Sequence, residues 1–164
     1  MIQQATDQYR HTANKFIDLL TEFPDEQFNT APFAGSWTPA QVGEHILKSL
    51  TGTPDMLNAK AEPATRDAGE KEQAIKDVFL DFEARYKSPE YIIPSDNAKD
   101  KAELTASLRG IAEQILTVFK TNKPDEICTG YEVPGFGPFT RLEWLYLFTY
   151  HTQRHIWQLQ KMQN

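Results

Sequence analysis

The chain has 164 residues, 40% of them hydrophobic and 12% aromatic, the make-up of one folded domain over residues 1–164 rather than of a disordered chain. Its 17 basic residues are scattered and outnumbered, leaving a net charge of −6, which argues against nucleic acid as a partner. A lone cysteine, Cys128, excludes an internal disulfide, and with no signal peptide at the start and no apolar run of membrane-spanning length, a soluble, cytoplasmic protein without membrane partners is expected.

Residues 2–23 carry Ile2, Ala5, Tyr9, Phe16, Leu19, Leu20 and Phe23 at helical spacing, with Pro24 just beyond, and predict a first helix. His11 lies off that stripe and reads as a surface or rim residue. Residues 23–37 form a connection whose Phe28, Phe33 and Trp37 are expected to pack down onto the core. Thr38 then caps, Pro39 takes the first helical position, where its missing N–H costs nothing, and Gln41 completes a capping box. Val42, His45, Ile46 and Ser49 share one face of this second helix, which should close by about Gly52, ahead of Pro54.

Residues 54–100 are the least regular part, punctuated by Pro54, Pro63, Pro89 and Pro94. Ile75, Val78, Phe79 and Phe82 fit a short helix or an extended segment, and the stretch 88–94, held by two prolines, reads as extended. Asp100 with Glu103 offers a capping box for a third helix through Leu104, Leu108, Ile111, Ile115, Val118 and Phe119, ended by Asn122 and Pro124. A Gly- and Pro-rich aromatic loop, 127–139, feeds a last helix over 140–162 that contains neither residue and opens on a Thr140–Glu143 capping box. Four amphipathic helices and no convincing sheet predict an all-α, four-helix bundle with a long crossover between helices 2 and 3.

At about 100° per residue, Trp144, Phe148, His151, His155, Gln158 and Met162 fall on one stripe of the last helix. Two imidazoles one turn apart thus look into the core, and His45 looks inward from the second helix. A catalytic zinc-type site has three protein ligands and an open fourth position, and His151, His155 and His45 satisfy that pattern. Spacing alone leaves two readings open, a metal centre or three histidines that merely pack and hydrogen-bond. Glu44 and Glu143 point away from these stripes, so no carboxylate joins the set.

The run from Trp37 to His45, Asp81-Phe82 and Ser88-Pro89 in the linker, Phe136-Gly137-Pro138-Phe139-Thr140, and His151-Thr152-Gln153-Arg154-His155 together resemble the DinB-like family across essentially the whole chain. The resemblance implies a four-helix bundle with a long crossover, often dimeric, with His45, His151 and His155 as ligands of a divalent metal, zinc or nickel foremost. It also implies a metal-dependent enzyme that activates a water or a thiol, hence a hydrolase or a thiol S-transferase acting on a small molecule. A binding bundle without turnover and an interaction protein without metal are the rival readings. Gln41, Ser49 and Gln158 are candidates to support the histidines, each commonly an ordinary polar helix residue, and no side chain stands out as a general base. The loop 131–139 reads either as a lid or as a packed connection.

Overall fold

A computed structural model describes residues 1–163. In chain order it contains α1 (Ile2–Glu22), α2 (Asp25–Phe28), α3 (Pro39–Leu50), α4 (Thr53–Asn58), β1 (Ala61–Pro63), α5 (Glu72–Phe79), a 3-10 turn (Glu90–Ile92), α6 (Lys101–Thr121), β2 (Glu126–Cys128) and α7 (Arg141–Met162). The four long helices α1, α3, α6 and α7 form the expected bundle. Both α1 and α3 lie against α6 and α7, while α1 and α3 meet only at their margins. The consecutive pairs α1–α3 and α6–α7 therefore occupy opposite corners, while α3 and α6, joined by a 50-residue stretch, are neighbours.

Local chemistry sets the helix starts. Thr38 Oγ1 accepts Gln41 N–H at 3.0 Å and Gln41 Oε1 accepts Thr38 N–H at 2.9 Å, which closes the box before α3. Thr140 and Glu143 do the same before α7, at 3.1 and 3.0 Å. At α6 only half of the expected box forms: Asp100 accepts from Glu103 N–H at 2.9 Å. Gly43 lets α3 sit close to its neighbours, since a Cβ there would stand 2.8 Å from Leu104 Cδ2 and 3.1 Å from Leu20 Cδ1.

The structure settles one open reading of the crossover as a helix and departs from its sequence reading in two places. Ile75, Val78 and Phe79 belong to a helix, α5, which packs on α7 with Ile75 fully buried. The stretch 88–94 is not uniformly extended; Pro89 opens a 3-10 turn over Glu90–Ile92 that packs on α3. A small sheet also forms, β1 antiparallel to β2 with Glu62 opposite Ile127. Nothing in Ala61–Pro63 alternates clearly, because a three-residue strand is too short for periodicity to register. In the first connection Phe28 is buried and Trp37 packs against the core, but Phe33 is exposed, contrary to expectation.

Two arginines, one buried and one half-buried, staple the crossover to α7. Arg141, 2% exposed, donates to the carbonyls of Leu57 and Lys123 at 2.7 and 2.9 Å and pairs with Glu126 at 2.5 Å. Arg66 reaches Glu143 with two bonds, at 2.6 and 2.8 Å. Cys128 is buried, and burial pushes its thiol up to about 11, which fits a packing role.

Two core groups, the Tyr9 hydroxyl and the Trp144 indole N–H, have no hydrogen-bond partner among the described residues. Tyr9 is buried on α1, and its hydroxyl has no hydrogen bond among the described residues. An unpaired buried hydroxyl costs about 1–3 kcal/mol. Tyr9→Phe is therefore expected to raise stability by about 1 kcal/mol, seen as a higher urea midpoint at unchanged slope. A loss of comparable size would show that the hydroxyl is satisfied.

Candidate metal centre

His151 and His155 stand one turn apart on α7, and His45 faces them from α3. His45 Nε2 lies 3.0 Å from His151 Nε2, and His155 Nε2 lies 3.1 Å from the same atom. One nitrogen from each ring falls within 4.8 Å of the others. Among the described residues this is the one grouping of three His, Cys, Asp or Glu side chains so close together. His11, as expected, is exposed on α1 and takes no part.

The second nitrogen of two rings is fixed. His45 Nδ1 lies 2.9 Å from the carbonyl oxygen of Ile92, which can only accept, so this nitrogen carries the proton. His155 Nδ1 lies 2.7 Å from Gln158 Oε1, which fixes the same tautomer. Both Nε2 atoms are thereby left as lone pairs aimed at His151 Nε2. A proton there satisfies one of them at a time, whereas a cation satisfies all three. Bonds of about 2.0–2.1 Å at tetrahedral angles put ligand nitrogens roughly 3.3 Å apart, close to the two separations from His151 Nε2, with the third inside 4.8 Å. The donor set fits a divalent metal.

Electrostatics keeps the rings neutral. Burial lowers the His45 pKa, offset in part by its bond to Ile92. Burial holds His151 well below the usual range, helped by the neighbouring histidines and Arg154. Burial and the His45 charge bring His155 down to about 3. All three are metal-ready at neutral pH. For the metal-free protein the sign follows directly: depressed native pKa values mean the unfolded chain binds protons first. Stability is then fully present above about pH 6.5 and falls as pH drops toward 3. Urea midpoints of chelated protein are expected to be lower at pH 5 than at pH 7.5, a window above the range in which most carboxylates titrate. Equal midpoints would mean that these rings accept protons freely in the fold.

The centre opens into a cavity of about 580 Å³, walled by α3, α7, the crossover and the loop after β2. Phe79 sets its ring against His151 at 5.5 Å, and Trp37 lies 5.0 Å from His45. Tyr131, Val133 and Phe136 line the cavity, so the loop 131–139 is one of its walls. Lys71 anchors that loop through the carbonyls of Phe136 and Pro138, at 2.5 and 2.9 Å.

Of the three supporting candidates, Gln158 does hold a histidine. Gln41 is spent on the capping box and on Ser95 O, and Ser49 donates to Ile46 O at 2.7 Å while lining the cavity. The partner that holds His45, the Ile92 carbonyl, escaped sequence reasoning because a backbone acceptor has no residue signature. Glu44 and Glu143 turn away as expected, Glu44 toward Ser95 and Lys99 and Glu143 toward Arg66.

Four helices, a long crossover and three imidazole nitrogens converging at a cavity wall define a helical bundle with a metal-type cup between facing helices. The chain belongs to the DinB superfamily, whose profile matches residues 8–159. No curated protein matches it. Its fold is similar to that of YfiT from Bacillus subtilis, described as a probable metal-dependent hydrolase with an unusual four-helix bundle topology. That likeness has a TM-score of 0.64 at 17% identity and covers 98% of this chain and 84% of the other.

Proposed function

We propose that this chain is a metal-dependent hydrolase of a small molecule, with His45, His151 and His155 holding one divalent ion, zinc or nickel in the first instance. The observation that carries the reading is the convergence of three Nε2 atoms whose rings are neutral, two of them locked by bonds at Nδ1. A divalent ion on neutral imidazoles keeps its full charge and supplies Lewis acidity, bringing the pKa of an adjacent water toward about 7. The residues do the rest. Ile92 O and Gln158 hold two rings in the ligating tautomer, and Phe79, Leu147 and Phe148 present an apolar wall that orients a substrate and limits water.

One observation favours thiol transfer as a second reading: among the described residues, no aspartate or glutamate lines the cavity. A thiol, with an ordinary pKa of about 8.5, gives up its proton without a carboxylate base more readily than water does.

Elemental analysis of untagged protein tests the metal, with roughly one divalent ion per chain expected. Turnover on a panel of esters and amides, and on thiols paired with electrophiles, separates the two chemistries. Metal-free protein from metal-supplemented growth would end both.

A further inference from the structure

The chain carries 23 acidic residues against 17 basic ones, yet the cavity beside the histidines has the opposite character. Lys48, Lys87 and Arg154 line it, and among the described residues no aspartate or glutamate does. Lys48 is partly answered by Glu44, 3.7 Å away, and donates to Ile93 O. Arg154 is different. Its guanidinium donates to the carbonyls of Asp81 and Ala84 and lies over the Tyr86 ring at 5.4 Å. Those partners hold it in place without cancelling its charge, and no carboxylate pairs with it among the described residues. Lys87 is exposed and likewise has no ion pair there. The remaining wall is largely apolar, with Met56, Val78, Val133, Leu147 and Phe148 among its residues. Of the large apolar side chains left exposed, Tyr86, Tyr91 and Tyr131 all stand at this cavity.

Unbalanced positive charge over an apolar wall selects one kind of guest. We infer that the cavity takes a small monoanion with an apolar body, its carboxylate facing Arg154 and Lys87 and its hydrocarbon part along α7. The inference rests on the proposed function only in taking this cavity as the substrate's place. It names the substrate class: an acid such as an aryl- or alkyl-carboxylate carrying the group to be cleaved or transferred. Amines of the same shape are repelled, since like charges across a partly desolvated gap cost more than hydrophobic burial returns.

Three probes with one body and different heads decide it: 4-phenylbutyrate, 4-phenylbutanol and 4-phenylbutylamine, titrated calorimetrically into the purified protein with its metal content measured in the same sample. The acid is expected to bind about tenfold more tightly than the alcohol, with the amine weakest, and its advantage should shrink as salt is raised. Lys87→Glu, at an exposed position without an ion pair, keeps the fold and should bring the acid to the alcohol's affinity while leaving the alcohol unchanged. Arg154→Gln should do the same, with circular dichroism checking that the crossover stays docked. Equal binding of all three probes, preference for the amine, no binding by any, or an acid preference indifferent to Lys87→Glu overturns the inference; the last result assigns the preference to the ion. A sample without metal that still prefers the acid removes the metal reading and leaves this one standing. A metal-replete sample without the preference does the reverse.

Discussion

His151→Ala is expected to reduce bound metal from about one ion per chain to near zero, with affinity down by more than about 100-fold, because two imidazoles in place of three leave a weak site. His151 is the hub: its Nε2 lies 3.0 and 3.1 Å from the other two ring nitrogens. Helicity should persist, since its ring contacts are to the other two histidines and to the Phe79 ring. Turnover on whichever substrate proves active should fall with the metal. Gln158→Ala gives the graded counterpart, about 10–100-fold weaker metal binding from a loosened His155. A full metal equivalent retained by His151→Ala would show that the three nitrogens do not share an ion.

Glu143→Ala should cost the largest share of stability of any single change, about 3–5 kcal/mol, read as a fall in urea midpoint. The Glu143 side chain is wholly buried and accepts from Arg66 at 2.6 and 2.8 Å, from Lys71 N–H at 2.9 Å and from Thr140 N–H at 3.0 Å. Its loss strands a guanidinium that is 18% exposed and opens the cap of the helix bearing His151 and His155. Partial access of Arg66 to water puts the expectation toward the lower end. Arg66→Ala in the same background should recover part of the loss, as coupled partners do. A drop below about 1 kcal/mol for Glu143→Ala would mean that the network relaxes around the gap.

What the amino-acid order revealed, and what it hid, follows from range. The four bundle helices announce themselves through near neighbours: Thr38 with Gln41, Thr140 with Glu143, and apolar residues at helical spacing. The histidine set was visible because two members share a turn of one helix and the third sits on an inward face. Contacts made across long separations were not visible. Ile92 O meets His45 across 47 positions, and Arg66 meets Glu143 across 77. The same Glu143, read correctly as half of a capping box, gave no sign of also being the counter-ion that ties the crossover to α7. The β1–β2 pairing stayed hidden for a related reason, as three residues on each side carry too little pattern to separate a strand from a loop.

His45 and His151 are 106 positions apart, on helices from opposite halves of the chain, with α6 and the whole crossover between them in sequence. Such a pocket cannot assemble from any contiguous fragment. It exists only once α7 has docked on α3 and the 3-10 turn has supplied Ile92. With the proposed metal, uptake then reports on that docking: stopped-flow ligation should lag the gain of helical signal, and the ion, once captured, should slow unfolding rather than speed collapse.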